Sequence, residues 1–195
     1  MPFDPRVHRR RSIRLPGYDY TQPGAYFVTV VVQDRLCLFD DPVLHRVAEA
    51  YWQAIPRHAT NVTLDAWVVM PNHLHGIVVI TAGKDIVSPA ATRPGTELGS
   101  EKASAPAARM VGNDSPPLAH GAPPGSLGAI IGSFKAVSAR RSNQVRHTPG
   151  GAVWQRNYFE HIVRNERALQ RIRAYILRNP EHWALDVENP LHRSG

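Results

Sequence analysis

The side chains best suited to chemistry in this chain stand at positions 73 and 75, where two histidines flank Leu74. The surrounding sequence predicts a β-strand, and alternate side chains of a strand point to the same face. Both imidazoles should therefore lie side by side, which is the geometry of two metal ligands. The chain has ten histidines, so one such pair also arises without any metal, and the pattern alone leaves ordinary packing open.

A second set of reactive groups is predicted on the last helix. At about 100° per residue, Tyr175 and Asn179 lie on one face, a turn apart. The flank next to Tyr175 carries Arg167, Arg171 and Arg178, whereas Arg173 lies on the opposite flank. A hydroxyl, an amide oxygen and three guanidinium groups thus converge on one side. The alternative is that Tyr175 is an aromatic residue at the edge of the core and that Asn179 merely ends the helix.

The strands that must position these groups follow from β-branched and aromatic runs. Residues 25–32 form the first predicted strand, 62–70 the second and 74–80 the third. Pro71-Asn72, a turn-forming pair, joins the second strand to the third. Residues 154–163 are ambiguous and are predicted to be extended in part.

Three helices complete the pattern. The first begins at Asp41-Pro42 and ends before Pro56, and the last runs from its cap at Asn165 to about Asn179, where Pro180 closes it. Apolar residues at helical spacing are Leu44, Val47, Ala48 and Trp52 in the first helix and Ile130, Ile131, Phe134 and Val137 in the second. The order β-α-β-β-α-(β)-α predicts an α+β fold: a mainly antiparallel sheet with helices packed against it, close to the ferredoxin-like plan.

One segment lacks any periodicity. Residues 82–127 contain 27 Ala, Pro, Gly or Ser among 46 residues and no aromatic residue. Such a composition buries too little apolar surface to offset the entropy of ordering. We therefore predict that residues 1–195 form a single domain that is interrupted by a flexible insertion at 82–127.

The charge is concentrated outside that segment. The net charge is +7, Arg outnumbers Lys by 20 to 3, and residues 128–178 carry ten basic and two acidic side chains. This pattern predicts a polyanionic partner, either nucleic acid or an anionic membrane. The single cysteine excludes a disulfide framework and a cysteine-rich zinc site. No apolar run approaches the roughly 18 residues that span a bilayer, so a cytoplasmic protein is expected.

These residues together resemble a known family. Met70-Pro71-Asn72-His73-Leu74-His75-Gly76 resembles the HUH motif, two histidines around a hydrophobic residue, of the single-tyrosine HUH transposases. Four further segments of this chain resemble the branch of the family that is associated with repetitive extragenic palindromes (REPs). These are Arg11 to Tyr20, Ser133-Phe134-Lys135, Trp154 to His161, and Tyr175 to Pro180. The resemblance covers residues 9–81 and 128–183, and its specificity lies in the combination of motifs. The insertion departs from the shorter members of the family.

The resemblance implies the HUH endonuclease fold and an enzyme that nicks and rejoins single-stranded DNA at palindromic hairpins. By position in the motifs, His73 and His75 match the metal-binding histidines and Asn179 the polar residue that completes the metal site. Tyr175 matches the nucleophile, which forms a covalent 5′-phosphotyrosine. The family implies Mg²⁺ or Mn²⁺, while imidazole ligands by themselves favour Mn²⁺ or Zn²⁺ over Mg²⁺. The general base is left open between His161 and a water on the metal.

The DNA partner implies phosphate and base contacts. Phosphate-binding candidates are Arg9, Arg10, Arg11, Arg14, Lys135, Arg140, Arg141, Arg146, Arg167, Arg171 and Arg178. Candidates for stacking on unpaired bases are Tyr18, Tyr20, Trp154 and Tyr158. Core packing is the alternative for most of these aromatic residues, and it is favoured for Trp154 and Tyr158. The partners expected are REP hairpins, with no membrane, no protein partner and a monomeric chain that is nucleoid-associated when bound to DNA.

Two other classes of function share the same features. A domesticated, non-catalytic protein that binds DNA hairpins or regulates their use would keep the basic surface. An RNA-binding module would also be basic, but the chain has no RRM or KH signature. The presence of both histidines, Tyr175 and Asn179 argues against loss of catalysis.

Overall fold

A four-stranded sheet runs through the computed structural model, which describes Leu15, residues 17–82, residues 122–185 and Asn189. The strands are β1 (Gly24–Val31), β2 (Val62–Met70), β3 (His73–Ile80) and β4 (Phe159–Val163). Their spatial order is β2-β3-β1-β4, and every neighbouring pair is antiparallel. The predicted α+β class and the ferredoxin-like plan are confirmed.

Four helices flank the sheet. They are α1 (Pro42–Gln53), α2 (Ile55–His58), α3 (Leu127–Arg146) and α4 (Glu166–His182). Predicted caps are present at the start of two of them: the Asp41 carboxylate accepts from the Val43 N–H at 2.7 Å, and the Asn165 amide oxygen accepts from the Ala168 N–H at 2.8 Å. Each cap satisfies a backbone donor that has no partner within the helix. No helix in the described ranges is long and apolar enough to cross a membrane.

The two faces of the sheet are covered differently because side chains alternate along each strand. We call the face that carries Leu74 and Val78 the core face; it packs against α1 and α3 through residues such as Trp52 and Phe134. We call the opposite face, which carries both histidines, the histidine face. It packs against α4 through a small cluster of Phe27, Ile77 and Ile176. The sheet therefore separates a large apolar core from the candidate catalytic groups.

One glycine on β3 is required by a close approach. A Cβ on Gly76 would lie 2.3 Å from Cζ2 of the Trp52 ring, closer than two carbon atoms can pack. The bulky indole of α1 thus packs directly on the backbone of the strand that carries the histidines.

Two predicted boundaries are corrected. Helix α4 continues through Pro180 to His182, because proline only removes the bond its own N–H would donate, and the helix ends two residues later. Ser126 caps α3 and the buried Leu127 begins it, so these two residues of the predicted insertion belong to the helix. Of the apolar residues at helical spacing in α3, Val137 is 37% exposed, whereas Ile130, Ile131 and Phe134 are buried. The predicted end of α1 before Pro56 is confirmed; Ile55 begins the further short helix α2, whose first turn accepts Pro56 because a first-turn N–H needs no helical partner.

The predicted insertion joins the fold at the far end of β3 from the histidines. On one side, the Thr81 N–H donates to the Asn61 carbonyl at 2.8 Å; on the other, the Leu127 N–H donates to the Tyr20 carbonyl at 3.0 Å. Residues 83–121 lie outside the described residues, as do Arg9, Arg10, Arg11 and Arg14. The single-domain organisation stays a prediction.

Candidate active site

His73 and His75 meet on the histidine face. Their Nε2 atoms are 3.0 Å apart and their ring centroids 4.5 Å apart. The two residues are 1% and 5% exposed. The predicted same-face geometry is confirmed. Two neutral imidazoles can meet in this way if one Nε2–H donates to the other ring, or if both lone pairs point at one cation.

Asn72 determines which nitrogen of His73 carries the proton. Its Nδ2 donates to the Arg35 carbonyl at 3.3 Å, which turns its Oδ1 towards His73 Nδ1 at 2.7 Å. Because an amide oxygen only accepts, His73 Nδ1 is the donor. The lone pair of His73 is therefore on Nε2, the atom that faces His75. Asn72 is fully buried in the Pro71-Asn72 turn and fixes the ring by this contact.

Thr29 plays the corresponding part for His75. It lies opposite His75 in the register of β1 and β3, and its Oγ1 is 2.8 Å from His75 Nδ1. A hydroxyl can donate or accept, so it stabilises either neutral tautomer of His75. In the tautomer whose Nδ1–H donates to Thr29, the Nε2 atom offers a lone pair beside that of His73.

The charge state of His75 follows from its surroundings. Burial, followed by the neighbouring His73, lowers the pKa of His75 to about 3. Both effects disfavour the imidazolium. His75 is consequently neutral near pH 7, which is the form that binds a metal.

Tyr175 reaches this pair from α4. Its hydroxyl is 3.2 Å from His75 Nε2, and its ring meets the His75 ring at a centroid distance of 5.2 Å. The residue is 50% exposed, so the tyrosine lies between the buried histidine and solvent. A substrate can therefore reach the exposed part of this side chain.

Asn179 lies between two residues that touch the histidines, Tyr175 on α4 and Trp183 directly after α4. Tyr175, one turn before it, contacts His75, and Trp183, one turn after it, has its ring centroid 6.0 Å from that of His73. Residues four apart share a helix face, so the Asn179 side chain faces the pair. Its Oδ1 is buried and has no hydrogen-bond partner among the described residues. An unsatisfied buried oxygen of this kind is destabilising unless it binds a ligand.

These atoms fit a divalent cation. In the described ranges, no cluster of three His, Cys, Asp or Glu side chains is present. The donors available are two neutral imidazole nitrogens and the amide oxygen. A set of three such donors leaves coordination positions for substrate oxygens, in contrast to a closed four-ligand structural zinc site.

A salt bridge holds α4 on the sheet. The Arg173 guanidinium donates to both carboxylate oxygens of Asp65, with Nε–Oδ1 at 2.8 Å and Nη2–Oδ2 at 2.5 Å. Asp65 lies in the irregular stretch of β2 between Leu64 and Trp67. The Arg173 hydrogen bonds hold the pKa of Asp65 below its usual value. Arg173 thus lies on the flank of α4 away from Arg167, Arg171 and Arg178, as its helical position predicts.

The predicted phosphate-binding residues are distributed over two sides of the molecule. Arg167, Arg171 and Arg178 are exposed on α4, and in the part of the chain that is described they form no hydrogen bond or ion pair. The other cations, on α3, belong to the core-face layer. Arg140 is exposed there, and Arg141 donates to the Gln144 side chain at 3.2 Å.

Lys135 has a role that the sequence does not reveal. Its ammonium donates to the carbonyls of Gln155 and Arg156 at 2.6 and 2.7 Å. Burial lowers its pKa. Lys135 therefore ties α3 to the segment that leads into β4, and this use of its ammonium competes with phosphate binding.

Most aromatic stacking candidates are engaged inside the fold. Trp154 is 7% exposed and donates from Nε1 to the Ser138 hydroxyl at 2.9 Å, so packing is confirmed for this residue. Tyr158 is half-buried against the same core. Tyr18 and Tyr20 meet each other edge to face with centroids 4.9 Å apart. His161 is exposed on β4, opposite Phe27 and on the histidine face.

Comparisons with known proteins add a relative of nearly equal length. A Haemophilus influenzae protein, described as uncharacterized, is 31% identical over 196 residues, covering 94% of this chain and 95% of that protein. A REP-associated tyrosine transposase bound to a REP hairpin has a TM-score of 0.48 and 18% identity, covering 86% of this chain and 73% of that chain. A candidate transposase of Deinococcus radiodurans has a TM-score of 0.44 and 18% identity, over 84% of this chain and 95% of that one. No family model matches.

Proposed function

The chain belongs to the same family as the Haemophilus influenzae protein, and we propose that it is a metal-dependent, transposase-like DNA nicking and joining enzyme. Its substrate is single-stranded DNA that folds into palindromic hairpins of the REP class. The observation that carries the proposal is the Tyr175 hydroxyl, 3.2 Å from His75 Nε2, on a residue that is half exposed to solvent. The HUH-like sequence motifs support the same assignment.

The donors for the metal are His73 Nε2, His75 Nε2 and Asn179 Oδ1. A divalent cation, Mg²⁺ or Mn²⁺, would polarise the scissile phosphodiester and stabilise negative charge on it. Asn72 and Thr29 hold the two imidazoles so that their Nε2 atoms converge. Such outer partners orient metal ligands and fix their tautomers.

Tyr175 supplies the nucleophile. Its oxygen attacks phosphorus, the bond from phosphorus to the 3′-oxygen breaks, and the strand leaves with a 3′-hydroxyl. The enzyme keeps the 5′-phosphate as a phosphotyrosine, which a second 3′-hydroxyl can attack to rejoin DNA. The phenol must lose its proton in the first step. His75 would not be available for this proton, because its Nε2 lone pair would hold the metal; the exposed His161 is the side chain we propose for it, with a water on the metal as the alternative.

The DNA would approach over α4. Its exposed arginines, Arg167, Arg171 and Arg178, are suited to contact phosphates on either side of Tyr175. Arg140 and Arg141 on α3 would contact a more distant part of a hairpin. We propose that the chain acts as a cytoplasmic monomer that associates with the nucleoid through DNA.

A covalent-adduct assay tests the proposal. Wild-type protein, labelled hairpin DNA with single-stranded flanks and Mn²⁺ should give a species that survives denaturing electrophoresis. Tyr175→Phe should abolish it while hairpin binding is retained, because only the attacking oxygen is lost. Tyr51→Phe on α1 removes a hydroxyl far from the histidine face and should leave the adduct unchanged.

The outcome separates the classes of function. An adduct that persists in Tyr175→Phe contradicts the nucleophile. Hairpin binding by the wild type without any adduct favours a non-catalytic DNA-binding protein. Preferential binding of a matched RNA favours an RNA-binding module.

A further inference from the structure

Among the described residues, helix α4 covers only part of the histidine face. Helix α4 lies over β2 and β3, where Arg173 binds Asp65 and Tyr175 contacts His75. Among the described residues, α1 and α3 pack on the core face instead. Beside this covered part, Phe159 and His161 of the edge strand β4 are exposed on the histidine face.

Phe159 lies on this exposed part of the histidine face. It pairs with Thr29 in the register of β1 and β4, so its side chain points to the same face as the histidines. The residue is 42% exposed. In the described part of the chain, Phe159 and Tyr175 are the exposed large aromatic residues, whereas Trp154 and Tyr158 pack in the core.

A series of ring contacts connects Phe159 to the candidate active site. Phe27 meets Phe159 edge to face at 6.1 Å, stacks on His75 at 5.5 Å and meets Tyr175 edge to face at 6.1 Å. Strand β4 is two strand spacings from β3, about 10 Å. Phe159 is thus within reach of a nucleotide next to one whose phosphate is at Tyr175.

We propose that Phe159 is a stacking platform for an unpaired base that flanks the scissile phosphate. The proposal rests on the proposed function, because it requires single-stranded DNA at Tyr175. An exposed ring next to an arginine-bearing helix is the combination that binds single strands: cations hold the backbone, and the ring stacks on a base. Such stacking tolerates any base identity, so Phe159 would orient the strand without reading its sequence.

The test removes the Phe159 ring and the DNA bases, separately and together, and compares the binding affinities. Full-length protein is titrated, without divalent cation, against a fluorescent oligothymidylate of about 12 nucleotides and against the same backbone with abasic sugars. Phe159→Leu should weaken binding of the oligothymidylate about 5- to 100-fold, the range that stacking on an aromatic ring contributes. It should leave binding of the abasic strand unchanged, and Phe159→Trp should restore the oligothymidylate affinity.

Val43→Ala is the matched control, since it shortens an exposed apolar side chain on α1, in the layer on the core face. Thermal unfolding of each variant reports whether the fold is intact, and Phe159→Trp retains a ring if the leucine variant is unstable. Equal weakening of both strands, or no weakening, overturns the stacking site while wild-type binding and the covalent adduct stand. If the wild type binds neither strand, the stacking site is overturned, and the covalent-adduct assay with hairpin DNA decides the proposed function separately.

Discussion

The core face and the histidine face of one sheet divide the molecule between stability and chemistry. The core face buries large apolar residues, including Trp52, Phe134 and Ile131, between the sheet and two helices. The histidine face has a smaller apolar cluster around Ile176, and next to it lie imidazole, hydroxyl and amide groups. Neighbouring residues of β3 belong to different faces.

This division explains how polar groups can be buried without loss of the fold. Apolar burial on the core face supplies most of the favourable free energy of folding. The histidine face can therefore keep an unsatisfied amide oxygen and two adjacent imidazoles. Substitutions on the two faces should accordingly change different measurements.

The largest expected effect separates two adjacent residues. Leu74→Ala, on the core face, should lower the free energy of unfolding by about 2–5 kcal/mol because it leaves a cavity. His73→Ala should lower it less and should instead remove Mn²⁺ binding. Urea denaturation and Mn²⁺ titration of both variants give the comparison. Equal stability losses would mean that the faces do not divide the two roles.

A smaller loss is expected where the core face touches the strand backbone. Gly76→Ala should destabilise the protein by about 1–3 kcal/mol, because the new Cβ would overlap the Trp52 ring. In Gly132→Ala on α3 the Cβ meets nothing within 4 Å, and helix propensity predicts a gain of up to about 1 kcal/mol. Thermal unfolding of the two variants measures these stability changes. The prediction is contradicted if both variants are stabilised or both are destabilised.

Asn72, in the turn before β3, should affect the affinity for the metal. Asn72→Leu removes the acceptor that orients His73 and should weaken Mn²⁺ binding about 10- to 100-fold. Asn72→Asp keeps an acceptor and should recover most of the affinity, which a purely structural role would not predict. Calorimetric titration measures both, and Asn61→Leu at the far end of β2 is the control. Equal loss in the leucine and aspartate variants contradicts the positioning role.

The smallest effect concerns the bridge that joins the histidine face to α4. The pKa of Asp65 is lowered in the fold from its usual 3.8, so the bridge stabilises the protein above pH 3.8 and this contribution is lost as the pH falls further. Asp65→Asn should therefore be less stable than wild type at pH 7, and the gap should narrow below pH 3.8. Urea denaturation at both pH values checks this, and a gap that is constant with pH would contradict it.

Local periodicity predicted much of this arrangement. The side-by-side histidines follow from alternation along a strand, and the limits of β2 follow from its β-branched and aromatic run. The common face of Tyr175 and Asn179 follows from helical spacing. Each of these features depends on residues close in sequence. Pro180 misled the prediction of the end of α4, since a proline near a helix terminus removes only one bond.

The contacts that position the site depend on pairings distant in sequence. Thr29 meets His75 only because β1 pairs with β3, and Asp65 meets Arg173 across 108 residues. Neither contact has a local pattern. The role of Phe159 was missed for the same reason, because its exposure depends on how much of the sheet α4 covers. Asn72, next to His73, was the residue that adjacency alone could have indicated.

The attachment points of the long Ala/Pro/Gly/Ser-rich segment have a practical meaning. That segment leaves the sheet after Ile80, about 23 Å from His73 along the strand, and the chain re-enters at the capped start of α3. A reporter or affinity module grafted between these points would be tethered away from the reacting atoms. The fold thus separates the position at which the chain can be lengthened from the positions at which the geometry of the candidate active site must be kept.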